Sequence, residues 1–293
     1  MSKKTIAALL ALGFVLSLYP ALLSISPVSA QVGGQLQPYV VRVRRTTMSG
    51  WNMEPSTYLG IPCTKITANS MIISQMYQSG FELTASSFSG DNMTIYANYV
   101  SISGGLISWS GDQTPTLFFY WDPVQQKFVY VPLKEMLGDP VTLENIVMHV
   151  LALEASNVVI DNYLSVTFPV EITQTASSVT MSGYDIVGTR YQSTPVTKIT
   201  ARSLGAKGMS MSVGTYRLQA PDLSMQNATI YATYVRGTAL GLMTLSWSGS
   251  SVPSLVKLAK IIMPTMTMTN VTMRAVYIQA NRVTIPQLSQ SIL

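Results

Sequence analysis

Polar and apolar residues alternate with a period of two over most of the chain beyond residue 36. In NMTIYANYV, Asn92 to Val100, Ile95, Ala97 and Tyr99 fall on one face and Thr94, Tyr96 and Asn98 on the other. Successive side chains of a strand point to opposite faces, so the pattern predicts a half-buried strand. The stretch returns at Asn227 to Val235 as NATIYATYV, with Ile230, Ala232 and Tyr234 set against Thr229, Tyr231 and Thr233. SVGTYRLQAPDLSM, residues 212 to 225, reads as short strands broken at Gly214 and Pro221.

The repeat is wider than this pair. Ser49-Gly50-Trp51 matches Ser182-Gly183-Tyr184, and TKITA at 64 to 68 recurs at 197 to 201, both 133 residues on. The Asn92 and Asn227 stretches stand 135 apart, and the two Ser-Trp-Ser-Gly motifs at 108 and 246 stand 138 apart. Asn145, Met148, Ala155, Val158 and Ile160 align with Asn270, Met273, Ala280, Val283 and Ile285 at an offset of 125. A period this long indicates duplicated domains, since solenoid units repeat every 20 to 50 residues. The first copy carries 13 extra residues, which fall in TLFFYWDPVQQKFVYVPL, residues 116 to 133.

The repeat also decides one ambiguous segment. DPVTLENIVMHVLALEAS, from Asp139, has the cap, the early proline and the first-turn acid of a helix. Its counterpart, PTMTMTNVTMRAVYIQANRVTI, alternates strictly and has no helical stripe. Copies share a fold, so both are expected to be strands. The fold expected is therefore all-β: two tandem homologous modules of β-sandwich or jelly-roll type, or a broad β-solenoid, after a cleaved signal peptide. The boundaries expected are a leader at 1–30, an N-terminal segment at 31–48, modules at 49–165 and 182–293, and a linker at 166–181.

The leader rests on Lys3 and Lys4, an apolar run from Thr5 to Ile25, and Val28-Ser29-Ala30 as a cleavage site. Pro20 and the small-residue site argue against an uncleaved anchor, so membrane contact is expected only before cleavage. Removing Lys3 and Lys4 lowers the net charge from +5 to +3, too weak and scattered for nucleic acid. Charged residues make up 11% against a usual ~25%, so Ser, Thr, Asn, Gln and Tyr must supply the wet surface. The single cysteine, Cys63, excludes an internal disulfide and is expected to be buried and inert.

LQPYVVRVRR, residues 36 to 45, sets Val41 and Val43 against Arg42 and Arg44. It reads as an edge strand guarded by its arginines, or as a strand donated to the open edge of a neighbouring subunit. Phe118, Phe119, Tyr120, Trp121, Phe128 and Tyr130 are expected to form a hairpin that buries its rings. Exposed, the same rings would suit sugar rings or a partner subunit.

Catalytic sets are scarce. His149 is the sole histidine, it is matched by Arg274 in the second copy, and no Gly-x-Ser-x-Gly elbow occurs. One histidine and one cysteine cannot build a zinc set, and Asp139, Glu144 and Asp161 form no calcium-loop pattern. No cofactor or metal is expected. Asn92, Asn227 and Asn270 begin sequons and are candidate glycan acceptors. These features lead to a secreted, non-catalytic structural protein of the cell exterior, of filament, sheath or surface-layer type, assembling with itself or other envelope proteins through strand edges. The alternative is an extracellular glycan- or lipid-binding β module.

Overall fold

Alternation survives folding: in β1, Tyr39–Ser49, the side chains of Tyr39, Val41 and Val43 are buried and those of Arg42 and Arg44 are exposed. The computed structural model describes residues 38–292 apart from 106, 114, 115, 240 and 242, and the side chains of 116–121 and 128–132 lie outside that description. The leader expected at 1–30 falls outside it as well. After β1 come β2 (Asn52–Tyr58), β3 (Ile61–Gln78), β4 (Glu82–Ile102) and β5 (Ile107–Ser110). A hairpin follows, β6 (Thr116–Asp122) and β7 (Lys127–Pro132), then the short helix α1 (Leu133–Leu137). The rest is β8 (Val141–Ser182), β9 (Asp185–Tyr191), β10 (Thr194–Val213), β11 (Tyr216–Ala239), β12 (Met243–Ser248), helix α2 (Ser254–Ile262) and β13 (Thr265–Ile292).

Eleven of these strands form one antiparallel sheet that returns on itself twice. In the first circuit β1 pairs with β3, β3 with β4, β4 with residues 147–167 of β8, and residues 141–150 of β8 with β1 again. In the second, residues 174–182 of β8 pair with β10, β10 with β11, β11 with β13, and residues 265–275 of β13 with β8. Closure removes the free edges of the long strands, which would otherwise template aggregation. The apolar faces of both circuits contribute to one buried core.

Residues matched by the sequence repeat hold matching places. Ile66 faces Ile95 in the first circuit, and Ile199 faces Ile230 in the second. Trp109 Nε1 donates to Thr64 Oγ1 (2.9 Å), which donates to the Gly111 carbonyl (3.2 Å). Trp247 Nε1, Thr197 Oγ1 and the Gly249 carbonyl repeat that relay at 2.9 and 2.7 Å. The circuits meet where residues 152–167 of β8 lie against residues 277–291 of β13. There Ile160 faces Val283 and Val158 faces Ile285, so exchanging the two strands restores the pairing.

The hairpin of β6 and β7 forms its own two-stranded sheet, with Phe119 opposite Tyr130 and Trp121 opposite Phe128. Three expectations are corrected. The segment read as a linker, 166–181, is continuous strand: Ile172, Gln174 and Met181 point into the second circuit. Within the segment 31–48, residues 31–37 lie outside the described residues and the rest is not a separate strand: β1 pairs on both sides within the chain, Val41, Arg42 and Val43 with β3 and β8, and Arg44 lies between paired neighbours. Pro221 does not break β11. The flanking ladder pairs are Lys207–Asp222 and Met209–Ala220, so proline sits opposite left-handed Gly208 (φ 58°), where no ladder pair is made.

The sequon asparagines share a backbone feature. Asn92, Asn227 and Asn270 have φ of 46°, 49° and 50°, and so does Asn145 (50°), which begins no sequon. Asparagine tolerates the left-handed region better than other non-glycine residues, and that accounts for the pairing of these positions without a glycan. All three sequon side chains are exposed. Asn227→Val should lower stability by about 1–3 kcal/mol and Asn227→Gly should change it by less than about 1 kcal/mol, as read from urea unfolding midpoints. Equal losses for the two would remove the backbone explanation.

Candidate apolar binding site

The inward faces of the two circuits leave a cavity of about 160 Å³. Its walls come from both circuits, from Val41, Ile73 and Phe88 in the first to Leu204, Met225 and Val271 in the second. Four polar residues break the apolar wall: Gln78, Gln174, Thr175 and Gln290. Eight lining residues are methionines, among them Met181, Met211, Met225 and Met268. An unbranched thioether chain fills gaps and readjusts, so such a wall adapts to the shape of what it holds. A cavity of this size with so largely apolar a lining can take up a small apolar molecule.

The polar residues gather where the circuits meet. Gln78 ends β3, and its Nε2 donates to Tyr216 Oη at 3.2 Å, at the start of β11. Tyr216 meets Phe81 edge-on at 4.5 Å and Tyr39 at 5.3 Å, and Phe81 meets Phe168 at 6.0 Å. Burial holds the phenols of Tyr39 and Tyr216 well above their ordinary pKa, so both stay neutral. Gln174 faces Met211 on β10 and Met273 on β13, and its Nε2 has only the Met211 sulfur at 3.7 Å. Gln290 faces Leu218 on β11 and Leu153 on β8, and its Nε2 is buried with no partner. An unmet buried donor costs about 1–3 kcal/mol, so a site that keeps one is set up to receive an acceptor.

Sequence reasoning missed these glutamines, although a signal existed. Gln174 has the core phase of Ile172 and Ala176, and Gln290 that of Leu288 and Ile292, so each is a polar residue where alternation calls for an apolar one.

The residues singled out for chemistry are dispersed. His149 lies across from Tyr99, ring to ring at 4.8 Å, as Arg274 lies over Tyr234 at 5.5 Å. Burial pushes the His149 imidazole below its ordinary value. The Asp139 carboxylate accepts the Gly50 N–H at 2.9 Å, Glu144 pairs with Arg45 at 2.7 Å, and Asp161 pairs with Arg282 at 3.4 Å. These three acids therefore serve separate partners. Cys63 is buried, and burial, then Asp112, raises its thiol pKa, which disfavours the reactive thiolate. Arg44 donates to Gln75 Oε1 at 3.0 Å on the outer face of the first circuit. The side chains of Phe118, Phe119, Tyr120 and Trp121 lie outside the described residues. Among the described residues no helix is long and apolar enough to cross a membrane, which says nothing of a β-barrel. No protein-family model, no curated protein and no solved structure matches this chain.

Proposed function

We propose that this is a secreted, non-catalytic protein of the cell exterior, made of two tandem copies of one β module after a cleaved leader, whose interior binds an extended apolar molecule such as a lipid chain. The observation that carries the reading is the methionine-rich cavity shared by the two circuits, with the unpaired amide of Gln290 in its wall. Duplication is supported by the matching Thr-Trp relays and by the exchangeable pairing of β8 with β13.

Magnitudes favour a chain over a compact ligand. Each buried methylene contributes about 0.8 kcal/mol, so a chain of about twelve supplies roughly 10 kcal/mol gross. Association costs at least about 4 kcal/mol, which leaves a dissociation constant on the order of tens of micromolar. The cavity as it stands takes about as much as one benzene ring. A longer chain needs the methionines to turn aside, as their flexibility allows. Titration with cis-parinaric acid should raise its fluorescence saturably, at about one chain per protein and micromolar to tens of micromolar affinity. A rise that is absent, or that grows linearly with added protein surface, sinks the reading.

Assembly of copies through strand edges is the second reading. It is favoured by β2, which pairs on one side only, with β3. Pro55 and Glu54 in that strand are edge-protecting residues and weigh on the other side. In this reading the protein serves as a filament, sheath or surface-layer subunit, and its glycans, if attached, sit at Asn92, Asn227 and Asn270. Light scattering that finds a monomer across a hundredfold range of concentration, with no polymers by electron microscopy, would remove it.

A further inference from the structure

The two halves of the interior are not equally filled. Around Val43, Thr46, Ile102 and Ile146 the first circuit holds a separate cavity of only about 20 Å³. At the positions that the repeat matches, the second circuit has Ala176 for Val43, Ala206 for Ile73, Gly237 for Ile102 and Ala275 for Val150. The one large exchange in the opposite sense, Met225 for Gly90, adds a flexible chain. A methyl group added at Gly237 would lie 2.7 Å from Met268 Cε and 3.3 Å from Val271 Cγ2, so the room left by the missing side chain is taken by the flexible Met268 chain, which can turn aside for a ligand.

Gln290 sits at one end of this wider half, opposite Leu218 beside the turn between β10 and β11, and Gln174 lies further in, between Met211 and Met273. The other end, at Val235, Trp247, Met268 and Val271, is apolar. The wall reaches solvent on the hairpin itself, where Met209 and Leu218 are half-buried.

We propose that the second circuit supplies the room of the shared cavity: it takes a single-chain amphiphile whose oxygen accepts a hydrogen bond from Gln290 Nε2 and whose tail runs toward Met268 and Val271, while the first circuit, packed around Val43 and Ile146, completes the wall. The inference rests on the reading of the interior as an apolar binding site and adds to it a location, a direction and a polar atom. The small residues supply the room, and the orphan amide supplies the donor. A long alcohol, ether or ester meets both demands. A plain hydrocarbon leaves the amide unpaired.

The test uses the fluorescent probe N-phenyl-1-naphthylamine, displaced by 1-dodecanol, on wild type and four variants. Ala206→Ile restores the side chain found in the first circuit and should weaken both ligands at least tenfold. Val43→Ala gives the first circuit the alanine found in the second, lies outside the wall of the large cavity, and should leave both within about twofold. Gln290→Leu should weaken dodecanol about tenfold and leave the probe within about twofold. Ala176→Val keeps the test open if Ala206→Ile fails to fold, with at least a threefold loss expected. Equal effects of Ala206→Ile and Val43→Ala, or dodecanol binding untouched by Gln290→Leu, overturn this inference while leaving interior binding intact. A wild-type protein that binds neither ligand overturns the broader reading with it.

Discussion

Tyr216→Ala should remove about 4–8 kcal/mol of stability, the largest loss expected from a single truncation in the protein. Cutting a buried aromatic side chain to alanine costs about 3–5 kcal/mol, and the lost Tyr216 hydroxyl leaves the buried Gln78 amide without its partner for about 1–3 kcal/mol more. The ring stands where the circuits meet, edge-on to Phe81 and Tyr39, with Phe168 behind Phe81. Tyr216→Phe keeps the packing and should cost only about 1–2 kcal/mol. Because β8 belongs to both circuits and β13 lies along it where they meet, denaturant should still unfold the variant in one transition. Two separated transitions, one per circuit, would mean that the shared strands do not couple them.

Thr197→Val ranks second, at about 2–6 kcal/mol. Valine matches the shape of threonine but leaves the Trp247 Nε1–H and the Gly249 carbonyl unpaired at the centre of the strand–turn contact, each worth about 1–3 kcal/mol. Thr197→Ser keeps the oxygen and should cost less than about 1.5 kcal/mol. Thr64→Val should behave alike in the first circuit, since Trp109 and Gly111 bracket Thr64 in the same way. Urea midpoints for the four proteins check this. A large loss at Thr197 beside none at Thr64 would count against two copies of one module.

Much of the fold was legible because a strand half buried in a sheet writes its own period. Ile95, Ala97 and Ile230, Ala232 show it, and the repeat removed the false helix at Asp139. The limits of the modules were less legible. Ser, Thr and Gln in EITQTASSVT look like linker composition, yet Ile172, Gln174 and Ala176 keep the core phase, and Gln174 is buried. The match Thr47-Met48-Ser49 with Thr180-Met181-Ser182 already carries the repeat upstream of the Ser49 boundary, into β1.

Closure of the sheet was not legible, because the pairing of β4 with β8 joins residues far apart in sequence and alternation specifies a buried face without naming its neighbour. The cavity was hidden for a related reason. A cavity depends on volumes summed across strands, and the exchanges of Ile73 for Ala206 and Ile102 for Gly237 gain meaning only once those residues face a common interior. The asparagines were visible, but their shared trait is a left-handed backbone, which a sequon pattern does not reveal.

Crystallising the protein with 12-bromododecan-1-ol and locating bromine by its anomalous scattering tests the central claim most directly. The account predicts one bromine peak inside the sheet, among Leu204, Met268 and Val271, with the hydroxyl oxygen within hydrogen-bond distance of Gln290 Nε2. Bromine found only on the outer surface, or an interior unchanged at saturating ligand, would contradict it.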